Sequence, residues 1–117
     1  YEAYYQPVYF RTLEELTAPV ERLGGQFKLE RAEIYEVPVP FVEDHQRSGD
    51  IETYAKEYTN FFRAFTEAVL CAAFPAHDPK PFADDIFGRA ERLVREYPDR
   101  YVFRYVSVAM LLTRLAD

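Results

Sequence analysis

The segment 51–74 constrains this chain more than any other. Along it Ile51, Tyr54, Ala55, Tyr58, Phe61, Phe62, Phe65, Val69 and Ala72 recur three and four residues apart. That spacing lines one face of an α-helix. It predicts a single long helix with a broad apolar stripe, capped by Ser48 or Asp50. Tyr54, Tyr58, Phe61, Phe62 and Phe65 place two rows of large rings on that face. A packed core accounts for all five. A wide apolar pocket with a few hydroxyls, the usual lining for an aromatic or acyl ligand, accounts for them as well.

The flanking sequence sets the rest of the fold. Residues 1–10, dense in aromatics around Pro7, read as an extended lead-in. Thr12 and Glu15 form a capping box for a helix whose stripe is Leu13, Leu16, Val20 and Leu23. Pro19 predicts a kink or restart in it, and Gly24 and Gly25 end it. Residues 27–37 read as a strand. Phe27 and Leu29 share one face while Ala32 and Ile34 fall on the other, a change of phase that predicts a bulge. Pro38 and Pro40 close the strand, and the polar stretch 43–50 reads as a loop. Three prolines in 75–81 stop the long helix. A third helix then spans 82–97, with Ile86, Phe87, Ala90, Leu93 and Val94 inward.

After Pro98 and Asp99, residues 101–115 become β-branched and almost continuously apolar, as in a strand buried on both faces. A lone pair of strands cannot bury it, so the expectation is a larger sheet completed by residues outside this chain. The fold class expected is α+β, mainly α, with three main helices and two antiparallel strands in a single domain over 1–117.

Composition narrows the function. The net charge is −6 with no Lys/Arg cluster, which argues against nucleic acid and against an anionic membrane surface. No apolar run reaches the length of a membrane span. The single cysteine, Cys71, allows no internal disulfide and fits a reducing cytosol, hence a cytoplasmic expectation. The chain starts at Tyr1 rather than Met and reads as a processed or excised piece.

Reactive constellations are scarce. There is no glycine-rich phosphate loop, no His-x-x-x-His pair and no cysteine cluster. His45 and His77 read as solvated loop histidines, and Cys71 as a packed helix residue. Asp84 and Asp85 read as first-turn carboxylates favoured by the helix dipole. No catalytic and no metal-binding residue is assigned.

The long helix also carries a family pattern. Phe62-Arg63-Ala64-Phe65-Thr66-Glu67-Ala68-Val69-Leu70 resembles the segment x-R-A-V-x-E-P-L-L of the SABATH carboxyl methyltransferases, which include the plant salicylic and benzoic acid methyltransferases and bacterial relatives. Tyr4-Tyr5-Gln6-Pro7-Val8-Tyr9 resembles that family's F-N-x-P-x-Y. Residues 27–37 resemble its next strand, and Asp84-Asp85-Ile86-Phe87-Gly88-Arg89 resembles D-E-L-F-x-R. The four segments follow in order over nearly the whole chain.

The resemblance implies a C-terminal helical cap with the last strands of the sheet. An N-terminal Rossmann-like domain, absent from this chain, would hold S-adenosylmethionine. Substrate-lining positions fall on Tyr9, Phe62, Phe65 and Tyr105, with Tyr101 or Phe103 a small register shift from the last. Glu2 and Tyr5 stand where some members carry Asp and Asn near magnesium, so magnesium does not carry over. Ala68 replaces the family proline. The implied partners are a small carboxylic acid and the chain's own N-terminal domain, and a homodimer is left open. A carboxylate is already ionised at neutral pH and needs no general base, so alignment and exclusion of water would suffice. The alternative is a non-catalytic ligand-binding or dimerisation module of the same architecture.

Overall fold

The computed structural model describes residues 9–116. Glu2, Tyr5 and most of the expected lead-in lie outside the described residues. The element order is α1 (Leu13–Arg22), β1 (Phe27–Val37), α2 (Pro40–Ser48), α3 (Ile51–Ala73), α4 (Pro79–Glu96), a 3-10 turn (Pro98–Arg100) and β2 (Tyr105–Arg114). The class is α+β and mainly helical, as expected, with four helices rather than three. The chain divides into two compact units. One is built from α1, β1 and β2, the other from α2, α3, α4 and the 3-10 turn.

In the first unit the capping box forms as predicted. The Glu15 amide donates to Thr12 Oγ1 at 3.2 Å, and the Thr12 amide donates to Glu15 Oε2 at 2.8 Å. α1 runs through Pro19 as one element, so no restart occurs. Gly24 and Gly25 then take left-handed φ values of 61° and 81°, which glycine adopts without a Cβ penalty. β1 and β2 pair antiparallel from Phe27 opposite Arg114 to Val37 opposite Tyr105. The pairing slips between Leu29 and Arg31, leaving Glu30 as the extra residue. This is the bulge that the phase change predicted. Arg104 grips Glu36 through two hydrogen bonds, at 2.6 and 3.1 Å.

The expectation that residues 101–115 are buried on both faces is not met among the described residues. β2 begins only at Tyr105, and Val106 and Leu111 are 55% and 62% exposed. Ile34 on β1 is exposed as well. α1 packs on β1, but a two-stranded sheet with one short helix does not bury these side chains.

The second unit corrects two further expectations. The stretch 43–50 is not a loop, because α2 occupies Pro40–Ser48. Pro40 stands at the first helical position, where its missing N–H costs nothing. At the other end Gly49, at φ 70°, donates to the His45 carbonyl at 2.8 Å. Only Phe41 and Val42 mark α2's apolar side, too few to signal a helix by period. Asp50, not Ser48, caps α3, accepting from the Thr53 amide at 3.1 Å.

The third expected helix starts at Pro79 rather than residue 82, since the first-turn amides lack intrahelical partners and tolerate Pro79 and Pro81. Asp84 and Asp85 therefore fall beyond the first turn, where they form ion pairs. Asp84 meets Arg63 and Lys80, and Asp85 meets Arg89. Ala83, Phe87 and Val94 are the buried residues of α4, whereas Ile86 and Leu93, expected inward, are exposed. The helix is rotated so that the row Ala83, Phe87, Ala90, Val94 meets α3.

Two buried clusters hold this unit together. Tyr54, Ala55 and Val94 form one, with Phe41, Ile51, Tyr58 and Tyr101 against it. Leu70, Ala83 and Phe87 form the other, with Cys71, Phe74 and Phe82 around it.

Candidate functional site

The spacing along α3 separates its large side chains into two adjoining rows. Tyr54, Phe61 and Phe65 make one row. Ala55, Thr59 and Phe62 make the next, and Tyr58 lies between. Tyr54 and Phe61 of the first row are packed by rings from elsewhere in the unit. Phe41 lies 5.9 Å from Tyr54 and 6.1 Å from Phe61 between centroids. Phe103 lies 4.9 Å from Phe61 and 5.4 Å from Phe62, and stacks on Phe41 at 6.0 Å. Tilted and edge-on pairs at such separations are the favourable arrangements for aromatic quadrupoles. The Tyr54 hydroxyl donates to the Tyr101 carbonyl at 2.8 Å and so pins the chain end of the unit to α3.

The second row faces α4 across a cleft of about 220 Å³. Tyr58, Thr59 and Phe62 form one wall. Phe87, Ala90, Leu93 and Val94 form the other, and Tyr101 closes one end. No charged side chain lines it. Burial pushes the phenol pKa of Tyr58 up, reinforced by Tyr101. Tyr54 is raised for the same first reason, so both stay protonated and able to donate at neutral pH.

Thr59 is the polar anomaly. It is 5% exposed, and its Oγ1 has no hydrogen-bond partner. Thr66 on the same helix does find one, the Phe62 carbonyl at 2.7 Å. Beside the cleft Arg63 bridges α3 and α4. Its guanidinium bonds Glu67 at 2.5 Å and Asp84 of α4 at 2.7 Å, and lies 5.3 Å from the centre of the Phe87 ring.

The residues expected to line a substrate divide between the units. Phe62 and Phe65 are neighbours, their rings 5.5 Å apart, but Phe62 is on the cleft wall while Phe65 is 52% exposed outside it. Tyr9 lies in the other unit, its hydroxyl donating to Glu15. That bond is the main reason its pKa is raised. Tyr105 opens β2, opposite Val37. Of the register alternatives, Tyr101 lines the cleft and Phe103 lies against Phe62.

Sequence reasoning passes over Thr59 and Phe41. Thr59 keeps helical spacing with Ala55 and Phe62, a signal that a search for large apolar residues ignores. Phe41 is hidden by the loop-like composition of its surroundings. His77 is an exposed loop residue, as expected, but His45 is not. His45 is on α2, stacked on Tyr54 at 4.4 Å, and His77 stacks on Phe82 at 4.7 Å. Cys71 is packed on the α3 side of the Leu70 cluster, as expected.

The family model described as SAM dependent carboxyl methyltransferase matches residues 1–115. The chain belongs to that family. No curated protein matches the chain. The family's methyl donor is S-adenosylmethionine, but the described residues do not fit it. Gly24, Gly25 and Gly49 serve helix ends, and Gly88 is inside α4. None opens a turn between strand and helix that could cradle a nucleoside. Among the described residues no group of three or more His, Cys, Asp or Glu could hold a metal, and no helix is long and apolar enough to cross a membrane.

Proposed function

We propose that this chain forms the substrate-binding side of a carboxyl methyltransferase, its helical unit capping a small carboxylic acid. The observation that carries this reading is the uncharged, ring-lined cleft beside Phe62, joined to a family whose chemistry asks no acid or base of the cap. An ionised carboxylate needs only to be aimed and kept dry. Tyr58, Phe62, Phe87 and Tyr101 supply shape and exclude water. The charged end of the acid stays outside the cleft, since nothing there would pair it. The uncovered faces of β1 and β2 support a companion reading, that these strands complete a larger sheet carrying the cofactor site.

The test is methyl transfer by the protein carrying this chain, with labelled S-adenosylmethionine and a panel of small acids. The expected product is a base-labile methyl ester, with Phe62→Ala raising KM about tenfold or more for the preferred acid. Label appearing on amines or phenols, and on no acid, would overturn the carboxyl reading.

A further inference from the structure

Thr59 deepens that reading, and its proposed role rests on the carboxyl methyltransferase assignment. A buried hydroxyl without a partner is costly, because folding strips it of water and returns nothing. Thr59 has the usual escape within reach, since a helical threonine can donate to a carbonyl three or four residues back. Thr66 takes that route and Thr59 does not. Bulk water is no remedy at a residue 5% exposed. The walls around it are mostly apolar, Phe62, Phe87, Leu93 and Val94, with the Tyr58 and Tyr101 hydroxyls as the other polar groups of the lining.

The cleft is also ring-sized. A dry apolar cavity of roughly 150 Å³ is enough to hold benzene, and this one is about 220 Å³. The lining holds no charged group, and Thr59 adds a buried, unpartnered hydroxyl to those of Tyr58 and Tyr101. One χ1 step exchanges its hydroxyl with its methyl and turns it towards a bound group.

We infer that the α3–α4 cleft receives the uncharged, ring-bearing end of the acid, and that Thr59 selects for a hydrogen-bonding substituent on it. Thr59 is then a specificity-determining residue, remote from the reacting carboxylate.

Phenol and toluene test this directly, being of similar size and differing in one hydroxyl. Each is titrated into the protein carrying this chain, in the wild type, Thr59→Val and Thr59→Ser, with binding read from NMR shifts of cleft residues. The wild type should bind phenol about tenfold more tightly than toluene, the worth of one net hydrogen bond. Thr59→Val should lose that preference without losing toluene, and Thr59→Ser should keep it. Phenol should also compete with the acid in methyl transfer.

Equal binding of the two probes in wild type and Thr59→Val, shifts confined to residues outside the cleft, an ordered water on Thr59 that phenol leaves in place, or binding without competition would each overturn the inference. Thr59→Val removes only the unpaired hydroxyl, so an unchanged or higher Tm verifies its fold. Phenol binding is read without methyl transfer. Thr59-dependent binding in a protein that esterifies no acid would therefore overturn the carboxyl reading alone.

Discussion

The two units solve the same burial problem with opposite results. In the helical unit, α3 and α4 press together along Ala55, Thr59, Leu70, Ala83, Phe87 and Val94, all buried. In the sheet unit Val20 is the single buried apolar side chain among the described residues, while Val106, Leu111 and Ile34 remain exposed. The difference comes from geometry. A long helix carries its stripe on one side and needs one partner, whereas an apolar strand has two faces and needs two layers. The helical unit therefore has an interior in which to build a cleft. The sheet unit leaves apolar strand residues exposed.

The largest effect that sharpens this contrast is a pair of truncations read by thermal or denaturant unfolding. Phe87→Ala should cost about 3–5 kcal/mol, as for a core aromatic. Leu111→Ala should change stability by less than about 0.5 kcal/mol if the two strands stand bare, but by about 2–5 kcal/mol if a further sheet covers them in the complete protein. A small effect in the complete protein would break the companion reading of the strands.

Next in size is Gly49→Ala. Nothing lies within 4 Å of the added Cβ, so its cost is the left-handed backbone alone, about 1–2 kcal/mol. The loss should appear as fraying of α2 in hydrogen exchange. Tyr54→Phe removes the bond to the Tyr101 carbonyl and should cost about 0.5–1.5 kcal/mol. It should also loosen Tyr101 at the end of the cleft, so KM for the acid should rise more than kcat falls.

The smallest effect is the pH dependence of the α3–α4 clamp. Arg63 holds the Glu67 carboxyl below its ordinary range, and Lys80 followed by Arg63 does so for Asp84. Lowered folded pKa values contribute stability above the unfolded values. That stability is lost as pH falls through the folded ones, on the acid side of the ordinary carboxylate range. Tm measured against pH should show Arg63→Ala below wild type at neutral pH, the gap closing in acid. Exposure of the pair makes the gap shrink with salt too. A constant gap down to about pH 2 would contradict the assignment.

Much of this is legible in the residues. The α3 stripe, the Thr12–Glu15 box and the bulge at Glu30 each have a local cause, and local causes survive folding. α2 is not legible because its signal is two apolar residues between a proline and a glycine, and its polar face resembles a loop. The start of α4 is hidden by prolines that break helix interiors but suit first turns. At the candidate site the rings of Phe62 and Phe65 stand out. Their division between a cleft wall and an exposed surface depends on the rotation of α4, which no single helix encodes. Thr59 is invisible because an unsatisfied hydroxyl is a property of its surroundings.

The most direct measurement is the acid preference of the protein carrying this chain, as kcat/KM across a panel of carboxylic acids in wild type and Phe62→Ala, with transferred methyl located on the product. Methyl esters should form throughout, with a reordered preference in the variant, because Phe62 shapes the cleft. Methyl groups found elsewhere than on carboxylates, or an identical ranking of acids in both proteins, would contradict a substrate-binding role for the cleft.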